Sequence, residues 1–437
     1  MYFSVTSRKF LPTAAVFTTT LTSRSFLSAC GTAAYVSTKS TTTTSSSTVD
    51  GSCSTTSLSM ASSPTNRRFS SLASIDDPKK AYEDFNQLIP KIGLGTFGLD
   101  DTKDNNNIVS TAISSAINDI GYKRIDCAPV YFNEHSIGDT IKEQVLLSSL
   151  DNNNNNNNKG VGVSRDDLFI VSKLACPFHQ KEHVKIGVTK TLNDLNLDYI
   201  DLYLIHWPQA FIYNESKFNL ETLLQQRGYP NEDIDDSNNG NNIDLTVSIH
   251  DTWKGMEELV YEGKVKYIGI SNFPISLIHE LLTKATIPPI MNQIESHVYL
   301  QQWPLFQYCT KRYIHVQSYS PLGTPGYKQP NEPNILTDEP ILQTIASKHN
   351  ISVAQVCILW SIQRGGRNNN NNTSVVVKSS NPTRQKENYD IVTNYETGNI
   401  KLSENEMKQI KSLGSTKNYR YFRPEEWWED MAMAVFD

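Results

Sequence analysis

Eight short apolar runs, separated by stretches of helical periodicity, set the tightest limit on what this chain can fold into. The runs occupy residues 91–97, 124–128, 168–172, 199–205, 265–271, 290–294, 315–318 and 374–378. They are largely continuous rather than alternating, which is the pattern of strands buried on both faces. Between them, segments such as 108–120 and 251–262 repeat apolar residues at helical spacing. Strand–helix alternation builds a parallel sheet, and eight is the number of strands that closes into a ring. The predicted fold is an α/β (β/α)8 TIM barrel with long C-terminal loops, spanning residues 79–437.

Four segments stand outside that pattern. Asparagine-rich tracts at 152–158, within 231–242 and at 368–372 all fall between predicted elements. Loop closure entropy grows only logarithmically with length, so such insertions cost little, and they are read as carrying no chemistry. The fourth is the N-terminal region, residues 1–78. It has no Asp or Glu before Asp50, carries Arg8, Lys9, Arg24 and Lys39, and is nearly half Ser and Thr up to that point. That composition predicts a transit peptide to a mitochondrion or plastid. The alternative is a disordered low-complexity tail on a cytoplasmic protein, since Ser/Thr runs bury too little surface to fold.

With 437 residues, 38% of them hydrophobic, the chain can bury a sizeable core. A net charge of -6 without a long basic run argues against nucleic acid or an anionic membrane as partner. No apolar stretch approaches the roughly 20 residues of a membrane span. The six cysteines are far apart, with no CxxC pair, so reduced and buried thiols are expected.

Two motif matches point elsewhere. Gly93-Leu94-Gly95-Thr96-Phe97-Gly98 fits GxGxxG, with Asp126 ending a later strand. A dinucleotide fingerprint needs a helix directly after the glycines, whereas polar Asp100–Asn107 follows, and Asp126 lies beyond the expected ~20 residues. His179-Gln180-Lys181-Glu182-His183 fits HxxEH, a metallopeptidase signature. Pro177 places it at a helix start, and no third ligand stands out. It reads as a solvated first turn, and no metal is expected.

A stronger signal is the set of polar residues at the C-terminal ends of successive strands, where barrel enzymes carry their chemistry. Asp126 and Tyr131 follow the second predicted strand, Lys173 the third and His206 the fourth. Each alone has an ordinary explanation: a capping carboxylate, a half-buried phenol, a snorkelling lysine, a satisfied histidine. Together they converge on one mouth.

These residues also carry a family resemblance. The run Gly121-Tyr122-Lys123-Arg124-Ile125-Asp126-Cys127-Ala128, with Tyr131, Asn133-Glu134 and Ile137-Gly138, resembles the first signature of the aldo-keto reductases. Leu202-Tyr203-Leu204-Ile205-His206-Trp207-Pro208 is similar to the second, which Gly263-Lys264-Val265 through Ile270-Ser271-Asn272-Phe273 continues. Tyr319-Ser320-Pro321-Leu322-Gly323 and Lys378-Ser379 match in order, and the resemblance extends from about Leu88 to the C-terminus. The chain departs from the pattern at Lys123 for arginine, Phe97 for tryptophan and Val377 for proline. Only Phe97 bears on the pocket.

The resemblance implies NADPH-dependent reduction of aldehyde or aldose carbonyls, with a small-molecule carbonyl as partner and a monomer or homodimer as the working form. Ketone or diketo-sugar reduction, or a non-catalytic cofactor-binding barrel, are the alternatives it leaves. It makes Tyr131 the general acid, with Lys173 lowering the ordinary phenol pKa of ~10, Asp126 holding Lys173, and His206 orienting the carbonyl. It assigns NADPH/NADP+ to Tyr319 for stacking, to Ser271, Asn272 and Gln293 for the carboxamide, and to Lys378, Ser379 and Arg384 for the 2′-phosphate. Asn388 would meet the adenine, and Gly95, Thr96, Asp126, Ser320 and Leu322 complete the cofactor set. The substrate would meet Phe97, Tyr131, His206 and Trp207, under a C-terminal lid of Arg420-Tyr421-Phe422-Arg423-Pro424 with Trp427-Trp428.

Overall fold

In the computed structural model all eight runs become parallel strands, and the strands close into a barrel in sequence order. They are β1 Ile92–Gly95, β2 Arg124–Asp126, β3 Phe169–Leu174, β4 Ile200–Ile205, β5 Val265–Ser271, β6 Met291–Glu295, β7 His315–Tyr319 and β8 Thr373–Val377. Closure is made where Leu94 of β1 pairs with Val377 of β8. The structure describes residues 77–101, 107–151, 163–225, 243–326, 331–365 and 372–423. The first two asparagine-rich tracts, residues 1–76, and Pro424, Trp427 and Trp428 lie outside them. Of the third tract only Asn372 is described, and it is buried at the start of β8.

Residues facing outward from the strands pack under the surrounding helices as two large apolar clusters. Leu94, Ile125 and Val375 meet Ile358 and Trp360 on one side. Tyr203, Ile268 and Ile270 meet Val184, Trp253 and Met256 on the other. The strands begin over a plug, the helix Pro78–Leu88, whose start is fixed by the Asp77 side chain accepting from the backbone N–H groups of Lys79 and Lys80. Its Phe85 packs edge-on to Phe169 and His315, the first residues of β3 and β7. That leaves the C-terminal ends of the strands as the open mouth.

Most strand boundaries shift by a residue or two from expectation, and three differences are informative. β2 stops at Asp126 rather than Ala128, because Pro129 opens a single 3-10 turn, Pro129–Tyr131. Lys173 lies inside β3, one residue before its end, so the pleat points it into the barrel. The predicted helix 108–120 divides into Ile108–Ser114 and a wider π turn Ser115–Ile120, stopped by Gly121 at φ 102°.

The first two glycines of the GxGxxG match serve packing inside the barrel, and Gly98 turns the loop after β1 at φ 68°. A Cβ on Gly93 would lie 2.5 Å from Arg124 Nε, and one on Gly95 would lie 2.8 Å from Val376 Cγ1. Cys127, Cys176, Cys309 and Cys357 are buried. Among the described residues no helix is long and apolar enough to cross a membrane.

Candidate active site

At the mouth, the end of β2 and the turn after it bring two functional groups together. Asp126 closes the strand, and the 3-10 turn carries Tyr131 back across it. Asn133, just beyond, donates both amide hydrogens to Thr96 O (2.8 Å) and Leu99 O (2.9 Å), which fixes the β1 loop bearing Phe97. Thr96 Oγ1 in turn donates to Asp126 O at 2.8 Å.

Lys173 is fully buried, and its ammonium uses all three of its donors. It donates to Asp126 Oδ1 at 2.5 Å, to Cys127 O at 2.8 Å and to Tyr131 OH at 3.3 Å. Burial works against the ammonium, but Asp126 and then Tyr131 outweigh it and hold its pKa above the ordinary lysine value. The other oxygen of Asp126 accepts from Gln293 Nε2 at 2.7 Å and from Gln317 Nε2 at 3.0 Å.

Tyr131 departs from expectation in sign. Burial raises its pKa, and Lys173, although it lowers it as predicted, only partly offsets that. His206 follows β4, with its ring 5.8 Å from that of Tyr131 and edge-on to it. Burial, reinforced by Lys173, pulls its pKa well below the usual imidazole value, so it stays neutral and keeps one N–H to donate.

The residues implicated in cofactor binding fall into two groups. Ser271, Asn272, Gln293 and Tyr319 meet at the ends of β5, β6 and β7: Tyr319 OH donates to Asn272 Oδ1 (2.9 Å), and Ser271 Oγ donates to Gln293 O (2.9 Å). Asn272 takes the left-handed conformation, φ 64°, and donates to His206 O at 2.9 Å, tying this group to the tetrad. Ser320, at φ 50°, accepts at its carbonyl from Gly323 N–H in the turn after β7 that carries Leu322. The second group surrounds the N-terminus of the helix Pro382–Glu396, capped by Asn381. Lys378 and Arg384 are exposed there, and Ser379 and Asn388 are buried. Two cations, a hydroxyl and a helix N-terminus form a donor set suited to a phosphate.

The pocket walls are aromatic. Phe97 meets Tyr131 edge-on at 5.2 Å and Phe422 at 6.1 Å, and Phe422 meets Tyr319 at 5.4 Å. Trp207, 7% exposed, packs against Cys176 and Phe211 and stacks beside the His206 ring at 6.4 Å. The C-terminal segment is tied down by Glu295, the fully buried last residue of β6. Its carboxylate accepts from Tyr421 N–H (2.7 Å), Phe422 N–H (3.1 Å) and His297 Nε2 (3.0 Å). Glu295 and Gln317 were not singled out from sequence, although both occupy every-second-residue positions on strands that point polar groups inward.

The HxxEH pair does not form a solvated turn as expected. His179 is buried ahead of the helix Lys181–Asp194, with burial pulling its pKa to about 3, while His183 stacks on Tyr213 at 3.6 Å. Among the described residues no three His, Cys, Asp or Glu side chains converge as a metal site.

A family model described as "Aldo/keto reductase family" matches residues 91–415. The chain is 37% identical over 345 residues to aldo-keto reductase family 1 member A1 of Rattus norvegicus, covering 77% of this chain and 89% of that protein. The Homo sapiens protein of that name is 35% identical over the same shares. Among solved structures, an aldose reductase of Giardia lamblia superposes with a TM-score of 0.65 at 31% identity, covering 80% of this chain and 99% of that one. An aldose reductase of Schistosoma japonicum gives 0.60 at 33% identity, covering 77% and 92%.

Proposed function

The chain belongs to the aldo/keto reductase family, and on that premise we propose that it reduces aldehyde and aldose carbonyls to alcohols with NADPH. The observation that carries this reading is the ammonium of Lys173, which joins Asp126 (2.5 Å) to Tyr131 (3.3 Å) at the mouth while donating a third bond to Cys127 O (2.8 Å). NADPH supplies the hydride in this chemistry. The chain's own groups supply the rest. Tyr131 gives its phenolic proton to the carbonyl oxygen, and Lys173 stabilises the phenolate left behind until solvent returns the proton. Asp126 keeps Lys173 charged and aimed. Neutral His206 donates a hydrogen bond to the same carbonyl oxygen and sets its direction.

For the substrate, Phe97, Tyr131, His206 and the C-terminal segment form an aromatic enclosure with polar groups at one end, as small-molecule sites commonly have. The solved neighbours titled aldose reductases support aldoses within the range. The direct test is NADPH oxidation by the chain lacking its first ~75 residues, which keeps the Asp77 cap, against a panel of aldehydes, aldoses, ketones and diketo sugars. Turnover of aldehydes or aldoses is expected. Turnover of ketones alone would reassign the substrate class, and no turnover with any member would leave a non-catalytic cofactor-binding barrel.

Lys378, Ser379 and Arg384 favour the 2′-phosphate of NADPH over NADH. Arg384→Ala is expected to weaken NADPH binding by about 10–100-fold, the worth of one charge-assisted hydrogen bond, and to leave NADH within twofold. Fluorescence titration of both nucleotides measures this, and equal losses would move phosphate recognition elsewhere. For residues 1–78 we propose organelle targeting. A fluorescent protein carrying them should leave the cytosol, and a purely cytosolic signal would refute it.

A further inference from the structure

We propose that Gln317 is a positioning residue of the reaction, holding the second oxygen of Asp126 from inside the barrel; this rests on the reductase reading above. Gln317 sits at the middle of β7, fully buried, paired in register with Gln293 on β6 and Ser374 on β8. Its Nε2 donates to Asp126 Oδ2 at 3.0 Å, beside the 2.7 Å bond from Gln293. Gln293 has a second duty implied at the cofactor amide. None is implied for Gln317, which lies two residues before Tyr319 on β7.

The amide orientation is dictated by the carboxylate. Reversed, the amide would turn an oxygen toward Asp126, which only accepts when ionised. On the far side, Ser374 Oγ lies 3.5 Å from Gln317 Oε1, long for a hydrogen bond. Ser374 is better engaged by Arg124 Nη1 at 2.9 Å and His315 Nε2 at 2.8 Å. Gln317 is therefore held mainly by Asp126, and Asp126 partly by Gln317.

The chemical consequence runs through charge. The Asp126 carboxylate is shared among Lys173, Gln293 and Gln317, and its negative charge raises the proton affinity of the Tyr131 phenol. Removing one donor concentrates that charge toward Lys173 and Tyr131. Tyr131 then releases its proton less readily, and reduction slows without loss of either ligand's binding surface.

The test uses Gln317→Leu, similar in size but without a donor, and Gln317→Glu. In Gln317→Leu, kcat for aldehyde reduction is expected to fall by about tenfold, with KM and NADPH affinity within twofold. The alkaline limb of its pH profile should move to higher pH. In Gln317→Glu the added carboxyl can replace the donor only when protonated, so activity should recover toward wild type as pH falls and be lost as pH rises. An alkaline limb that stays in place in Gln317→Leu, or a kcat loss matched by equal losses in NADPH affinity and thermal stability, overturns the proposal. A wild-type chain with no turnover sinks the reductase reading and this proposal together. An active wild type with unmoved variants sinks this proposal alone.

Discussion

Tyr131→Phe is expected to lower kcat for carbonyl reduction by about 10²–10⁴-fold, the range over which a positioned general acid contributes. NADPH affinity should stay within twofold, because the lost hydroxyl faces Lys173 and the substrate. Stopped-flow nucleotide oxidation and fluorescence titration separate the two quantities, and retained turnover would remove Tyr131 from its role. The wild-type pH dependence carries its own sign. The phenol must be protonated to donate, and burial raises its pKa above the usual ~10. Reduction should hold a plateau through neutral pH and decline only in strongly alkaline solution. His206, neutral because its pKa lies well below the imidazole range, adds no acid limb near neutrality.

Lys173→Met is expected to damage both stability and catalysis. Asp126 would remain as a buried carboxylate with its cation gone, and breaking a buried pair on one side costs about 3–5 kcal/mol. Tyr131 would also lose the charge that pulls its proton affinity down, so kcat should fall at least as far as in Tyr131→Phe. Lys173→Arg should not rescue it, since a planar fork cannot reach the three separate acceptors that one ammonium reaches here. The double variant Lys173→Met with Asp126→Asn buries no net charge. It should regain most of the lost stability and none of the activity. Chemical denaturation beside initial rates gives both readings, and a stable, active Lys173→Met would contradict the relay.

Much of the barrel was legible because its strands are buried on two faces and therefore apolar over their full length. What the sequence concealed are effects of depth. Lys173 beside Tyr131 correctly predicts a pull on the phenol, but the opposing push depends on how much water the folded mouth excludes, and that outweighs it. His179 looks like a solvated turn beside Pro177, yet the chain tucks it under the helix that follows. Gln317 interrupts a strand read for its apolar content, Glu295 falls one residue past another, and only the register of β6 and β7 reveals what they face. Pro129, by contrast, could have ended β2 at Asp126 from sequence alone, since it removes the N–H a strand would need.

Glu295 grips Tyr421 and Phe422 through their backbone N–H groups, with the Arg420 guanidinium 3.8 Å from the same carboxylate. Attachment and selectivity are thereby decoupled. Position 422 can be exchanged for a residue of different bulk or polarity without surrendering the fastening, because the fastening does not read the side chain. On the proposed reductase reading, a lineage carrying this device could retune its substrate repertoire through single codon changes in the tail, while the hydride-transfer machinery beneath is left untouched.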